Sequence, residues 1–329
     1  MNRVAERSVS AARFCVRDHQ LGGRLARCYP SPMSSLRAYA GVARVPFLLL
    51  PFTLVASGAA AAAYEGHFSW LRTLMALVGL VALHAAVNIL NEWSDLRTGI
   101  DLHTVRTPFS GGSGTLPAGD MSSGAALAFG VMAGGVGLVI GIWFVTQVGG
   151  IIVPIMIVGA VCVLAYTPFL TASGVGEVAA GLGLGALPVI GTAVVQDGSI
   201  PSAAIAASVP AFFMTFNLLL LNEFPDEAAD RAGGRRHLVI LLGRKGAAAV
   251  YALAGLLTPT AIIVGTAMNA LPLYALAAVL PSLLLIRPLR WALGDAQAEV
   301  PVPALGANVI WNLGTNVMLA VTLGIARLM

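Results

Sequence analysis

Long apolar runs, broken by short polar stretches, dominate the chain from residue 45 onward. Nine of them stand out, over residues 45–64, 71–91, 124–146, 150–170, 175–195, 203–222, 246–267, 270–289 and 304–326. Most are close to the roughly 20 apolar residues a helix needs to cross the hydrocarbon of a bilayer. The runs are continuous rather than alternating apolar with polar, which predicts helices and not a membrane barrel. Gly and Ala are frequent inside them, a composition that suits close helix packing in lipid. The predicted fold is all-α: a polytopic membrane protein of about nine transmembrane helices around a central cavity, spanning residues 36–329. Residues 1–35 are expected to be a basic, disordered N-terminal extension.

Composition agrees with this reading. The chain is 57% hydrophobic and 10% charged, with mean hydropathy +0.84, whereas a soluble domain carries about 25% charged residues. With the N-terminus in the cytoplasm and nine spans threaded in order, all of the 19 basic residues except Arg72 and Arg327 fall on the cytoplasmic side. The positive-inside rule therefore predicts this orientation, with the membrane being of the bacterial inner, cytoplasmic type. Topology explains the net charge of +4, so no nucleic-acid partner is implied. Cys15, Cys28 and Cys162 have no metal-ligand spacing and imply no disulfide framework. The first 44 residues lack the apolar core of a secretory signal, and Met33 is a candidate for the true start.

Against this background two acidic clusters need a reason. The first is Asn88-Ile89-Leu90-Asn91-Glu92-Trp93-Ser94-Asp95, continuing to Asp101. The second is Asn222-Glu223-Phe224-Pro225-Asp226-Glu227-Ala228-Ala229-Asp230. Each follows an apolar run on the predicted cytoplasmic side, and acids at such places in a membrane protein mark function by default. Helical spacing puts His84, Asn88, Asn91, Glu92 and Asp95 on one face, and Asn222, Asp226 and Asp230 on another. Pro225 is expected to kink or end its helix. Carboxylate and amide oxygens suit Mg²⁺, which keeps part of its shell for substrate phosphates. Two such faces predict two Mg²⁺ ions bridging a diphosphate, with Asn91, Glu92, Asp95, Asn222, Asp226 and Asp230 as ligands. The glycine-rich loop Arg106-Thr107-Pro108-Phe109-Ser110-Gly111-Gly112-Ser113-Gly114 adds a base, hydroxyls and backbone N–H groups. Arg235 and Arg236 follow Gly233-Gly234 in the second loop, and one of them is expected to point inward. Tyr166 is either a cavity residue or an interfacial aromatic, His84 a buried histidine or a base, and Asn308, Asn312 and Asn316 are expected to bond across helices.

The pair Asn91-Glu92-Trp93-Ser94-Asp95 and Asp226-Glu227-Ala228-Ala229-Asp230 resembles the signature of the UbiA superfamily of intramembrane prenyltransferases, over roughly residues 36–329. The stretch from Asp95 through Asp101 to Gly114, and the string Leu221-Asn222-Glu223-Phe224-Pro225-Asp226, resemble the 1,4-dihydroxy-2-naphthoate branch, which serves menaquinone synthesis. Two departures stand out: Glu92 replaces the usual Asp, and residues 169–177 lack the basic residue the family often carries there. The resemblance implies Mg²⁺-dependent transfer of a polyprenyl group from polyprenyl diphosphate to an aromatic acceptor. It implies catalytic roles for Asp95, Asp226, Asp230 and Arg106, and substrate binding by Asn88, Asp101, Ser110, Tyr166, Arg235 and Arg236. Asp101 and Glu227 are the candidates for a base. The alternatives are another acceptor, 4-hydroxybenzoate or an isoprenoid, and a cation-coupled secondary transporter. Transporters, however, place their sites near the bilayer midplane, whereas these acids cluster at one face.

Overall fold

The computed structural model describes residues 13–17, 26–30 and 32–329, with side chains described over 35–329 apart from Thr167 and Pro168. Most of the predicted extension, residues 1–35, lies outside the described residues. Its described parts include two short antiparallel strands, β1 (Arg13–Arg17) and β2 (Ala26–Pro30), and the start of α1 (Pro32–Val42). All the other elements are helices: α2 (Leu49–Tyr64), α3 (Trp70–Thr98), α4 (Ile100–His103), α5 (Ser123–Val148), α6 (Val153–Leu164), α7 (Gly176–Gly181), α8 (Leu187–Asp197), α9 (Ser202–Ala232), α10 (Leu238–Ala267), α11 (Ile286–Gly294) and α12 (Val302–Leu328), with short 3₁₀ and π turns between some of them.

Among the described residues, eight helical runs are long and apolar enough to cross a membrane, against about nine predicted. The difference is the third run, Ser123–Leu164, whose 42 residues join two predicted spans. A straight helix of that length would measure about 63 Å, twice the hydrocarbon thickness. The run instead folds back at Gly149, which holds φ +75, a conformation that favours glycine. A methyl placed on Gly141 of α5 would lie 2.7 Å from Cε of Met156 in α6, so the two halves pack side by side.

The second and sixth predicted spans run further than expected. α3 continues to Thr98 and α9 to Ala232, carrying both acidic clusters on ordered helix. The helix does not end at Pro225: α9 continues through Pro210 and Pro225 to Ala232. Proline is tolerated in membrane helices where neighbouring groups take up the freed carbonyl. α10, by contrast, starts early and breaks at Gly243, with φ 69 and ψ 164.

α9 is the central helix, packed against α2, α7, α8, α10 and α12. Its fully buried Ala203, Ala204, Ala207 and Ala211 recur at helical spacing and present a smooth face for that approach. Polar pairs tie the helices together, and the expected cross-helix bonding is seen for Asn308 and for Asn312, which donates to Thr215 Oγ1 at 3.5 Å, whereas Asn316 donates to Asn312 within α12. Asn217 of α9 donates to the Tyr251 carbonyl at 2.9 Å, and the Tyr251 hydroxyl lies 2.9 Å from Asn308 Oδ1. Asn308 closes the triangle onto the Asn217 carbonyl at 3.2 Å. Arg72, one of the two basic residues away from the predicted cytoplasmic side, donates to the Gln196 carbonyl at 2.6 Å near the end of α8.

Candidate active site

The ends of α3 and α9, the turn before α2, the Thr104–Gly112 part of the first loop and the turn before α10 surround one cavity of about 160 Å³. Asn88, Asn91 and Asp95 line it from α3; Asn222, Glu223, Asp226 and Asp230 line it from α9. Asp101, Ser110, Gly111 and Gly112 come from the first loop, with Arg44, Tyr166 and Arg235 on other walls. The two motifs, more than 120 positions apart in sequence, thus face one space.

Arg235 joins them. Its Nη2 lies 2.5 Å from Asp95 Oδ1 and its Nη1 lies 3.1 Å from Asp230 Oδ1. Nη2 also donates to Asn91 Oδ1 at 3.3 Å, while Asn91 Nδ2 donates to Asp95 Oδ2 at 2.8 Å. Burial opposes the charge of Arg235, but Asp95 and Asp230 outweigh it and push its pKa further up than an ordinary arginine's. A second link runs from the glycine loop: the Gly111 N–H donates to Asp226 Oδ2 at 3.1 Å. Gly112, at φ +70, passes so close to Asp101 that a methyl there would lie 2.9 Å from Asp101 Oδ1. Asp101 is buried, and this desolvation, reinforced by Asp95 and Glu92, raises its pKa to about 7.

Several predicted site residues stand elsewhere. Glu92 faces away from the cavity: its two oxygens accept from the Ser113 N–H at 2.7 Å and the Ser113 hydroxyl at 2.6 Å, so it anchors the loop and is not placed as a metal ligand. Arg236 is exposed, its backbone N–H bonded to the Thr171 carbonyl at 2.9 Å. Of the adjacent pair only Arg235 points in, because the chain turns at Gly234 with φ +85. Arg106 is exposed at the rim and donates to the Asp101 carbonyl at 3.3 Å. Glu227 pairs outward with Arg231 at 3.0 Å and Arg244 at 3.3 Å, which removes it as a candidate base. His84 is buried against the cavity, and its Nδ1 has no hydrogen-bond partner, so it is not a satisfied core histidine.

Arg44, counted in the sequence as a topological charge, adopts a left-handed backbone (φ 52) at the turn before α2 and lines the cavity. It donates to the Phe109 carbonyl at 3.4 Å, and Asn88 steadies the same turn by donating to the Ala43 carbonyl at 3.0 Å. Nothing in the local sequence marks a left-handed arginine.

The donor set fits a hard divalent cation. Asn222 Oδ1 and Asp226 Oδ1 are buried without a hydrogen-bond partner, and amide and carboxylate oxygens are the ligands Mg²⁺ takes. Below the polar mouth lies a second, apolar cavity of about 90 Å³. Its walls include Leu49, Val309 and Leu313, and it shares Phe47, Leu50, His84, Phe109 and Leu218 with the first. A charged head and an apolar tail could lie across the two.

Fold and site together define an intramembrane enzyme with an acid-lined mouth above an apolar chamber. The sequence profile of the UbiA prenyltransferase family matches residues 49–305, and the chain belongs to that family; it is a prenyltransferase. It is 26% identical over 274 residues to the 1,4-dihydroxy-2-naphthoate octaprenyltransferase of Bacillus subtilis (strain 168), covering 78% of this chain and 83% of that protein. Its fold is similar to that of a UbiA homolog from Archaeoglobus fulgidus solved with GPP and Mg²⁺, at TM-score 0.62 and 14% identity, over 88% of this chain and 99% of that one. It is also similar to a structure of digeranylgeranylglyceryl phosphate synthase, at TM-score 0.62 and 15% identity, over 90% and 100% of the two chains.

Proposed function

We propose that this prenyltransferase moves a polyprenyl group from its diphosphate to 1,4-dihydroxy-2-naphthoate in menaquinone synthesis, using two Mg²⁺ ions, with the mouth facing the cytoplasm. The observation that carries the reading is the convergence of the α3 and α9 acids on one cavity that continues into an apolar chamber. Relationship to the Bacillus subtilis enzyme supports the choice of acceptor. Asn91 and Asp95 would hold one ion, and Asn222, Asp226 and Asp230 the other. When bound, the ions neutralise charge on the departing diphosphate.

The chain's own groups do the rest. Arg235 and the Gly111 N–H supply positive ends beside the diphosphate, where charge grows as the allylic C–O bond breaks. Phe47, Leu50, Phe109 and Leu218 wall the space next to the breaking bond and exclude water, which would otherwise capture the allylic cation. The electron-rich ring carbon of the acceptor then forms the new C–C bond. Its carboxyl group leaves as carbon dioxide, and diphosphate is released. Arg44 is a guanidinium on the wall for the acceptor's carboxylate before that step. Asp101, with its pKa near neutrality, can take a proton at the mouth.

The test is prenyl transfer by detergent-purified protein with farnesyl or geranylgeranyl diphosphate, offered dihydroxynaphthoate or 4-hydroxybenzoate, with and without EDTA. A decarboxylated prenyl-naphthoquinol that EDTA abolishes is expected. Product with 4-hydroxybenzoate alone would overturn the acceptor.

A further inference from the structure

At the edge of the cavity, which Glu223 also lines, three buried side chains converge from three elements. Glu177 comes from the first turn of α7, Glu223 from α9 and His237 from the residue before α10. One ligand atom from each lies within 4.8 Å of the others, and the residues are 0%, 8% and 2% exposed. Glu177 Oε1 accepts the Leu238 N–H at 2.6 Å. Its Oε2, together with Glu223 Oε2 and both ring nitrogens of His237, has no hydrogen-bond partner. Leaving four buried polar atoms unsatisfied is costly, and two carboxylates this close repel one another unless a cation or proton lies between them. Arg235, the nearby guanidinium, directs its own bonds to Asp95, Asp230 and Asn91.

We propose that Glu177, Glu223 and His237 form a binding site for one divalent transition-metal ion of the zinc type, adjoining the diphosphate cavity but with a ligand set of its own. The donor set argues the chemistry. Mg²⁺ is held by oxygens, whereas an imidazole beside two carboxylates suits a first-row transition metal. The ring's placement argues it again. His237 Nδ1 faces Glu223 Oε2 at 3.8 Å and its Nε2 faces Asp230 Oδ2 at 3.3 Å. With the ion on the Nδ1 side, the ring's other nitrogen is left facing the Asp230 carboxylate, a placement close to the carboxylate–histidine–metal arrangement by which neighbouring groups orient metal ligands. The ion would pin α7, α9 and the start of α10 together and fix Asp230 for the cavity. Its presence does not depend on which acceptor is prenylated.

The experiment uses tag-free, full-length protein in detergent, stripped with EDTA and titrated with Zn²⁺ in excess Mg²⁺ and without diphosphate, with bound metal counted by mass spectrometry. One Zn²⁺ per chain is expected, bound at least tenfold more weakly by Glu177→Gln and His237→Gln but unchanged in Asp226→Asn. Zinc-edge X-ray absorption of the native protein, which needs no variant to fold, should show one imidazole nitrogen among oxygen ligands. Stoichiometric Zn²⁺ unaffected by Glu177→Gln and His237→Gln, an ion lost in Asp226→Asn, a shell of oxygens alone, or native protein that takes up no Zn²⁺ would each overturn the site. Loss of prenyl transfer with zinc still bound in this pattern would count against the proposed reaction alone.

Discussion

Arg235 stands 2.5 Å from Asp95, and through that contact a residue of the second loop closes onto the first acidic cluster. The other end of the same guanidinium meets Asp230, so a single cation spans both motifs at the cavity mouth. Removing it takes away charge-assisted bonds, each worth about 1.5–3 kcal/mol. Arg235→Ala should lower kcat/KM for the polyprenyl diphosphate by about 10–100-fold. Arg236→Ala, whose side chain faces outward, should change it less than about twofold. Steady-state kinetics of the two variants side by side check this; equal losses would mean that the inward–outward distinction is not functional.

The carboxylates should separate in the same way. Asp95→Asn keeps shape but removes a charge from the cavity, and should raise the Mg²⁺ concentration needed for half-maximal activity while lowering kcat by about 10²–10³. Glu92→Gln touches the loop anchor to Ser113. It should cost about 1–3 kcal/mol of stability and leave the Mg²⁺ requirement in place. Melting temperature and Mg²⁺ titration, measured on both, distinguish ligand from anchor.

Much of this was legible in the sequence. Apolar run length located the spans, and the positions of Asn91, Asp95, Asp226 and Asp230 located the mouth, because helical periodicity alone puts them on cavity-facing stripes. Periodicity could not separate Asn91 from Glu92, which lie beside each other on α3. What turns Glu92 away is Ser113, 21 positions later, reaching it from the glycine loop. Arg44 was hidden because its role depends on a left-handed turn set by contacts with Phe109 and α3. The Ser123–Leu164 run looked like two spans, and it does fold back on itself: α5 ends at Val148 and a 3₁₀ turn from Gly149 leads directly into α6, with no polar loop between the halves. Glu177 was visible only as an acid at the start of a span and His237 not at all, because their meeting point is made entirely by tertiary packing.

Asp101 supplies a pH dependence. Its pKa rises from 3.8 to about 7 on folding, with burial the first cause. The folded chain therefore binds this proton more tightly than the unfolded chain, so ionisation works against folding. Stability should fall as pH rises from about 4 to 7 and stay reduced above that. Asp101→Asn should melt higher than the native protein at pH 8 in EDTA, and the difference should shrink toward zero near pH 4. A difference of the opposite sign would show that the carboxylate is stabilised in place.

The shared apolar wall gives a further prediction. Phe109 borders both cavities and carries the carbonyl that receives Arg44. Phe109→Ala opens the space next to the breaking bond to water. It should increase diphosphate release without prenyl transfer relative to coupled product, measured as the ratio of diphosphate to prenylated acceptor. An unchanged ratio would place the water barrier elsewhere.

Calorimetric titration of a non-hydrolysable farnesyl thiodiphosphate into the purified protein, with and without Mg²⁺, tests whether the α3 and α9 acids grip one diphosphate together. The native chain should bind one equivalent only when Mg²⁺ is present, and Asp95→Asn and Asp226→Asn should each weaken binding by tenfold or more. Native-like, Mg²⁺-dependent binding by either variant would contradict a site shared between the two clusters.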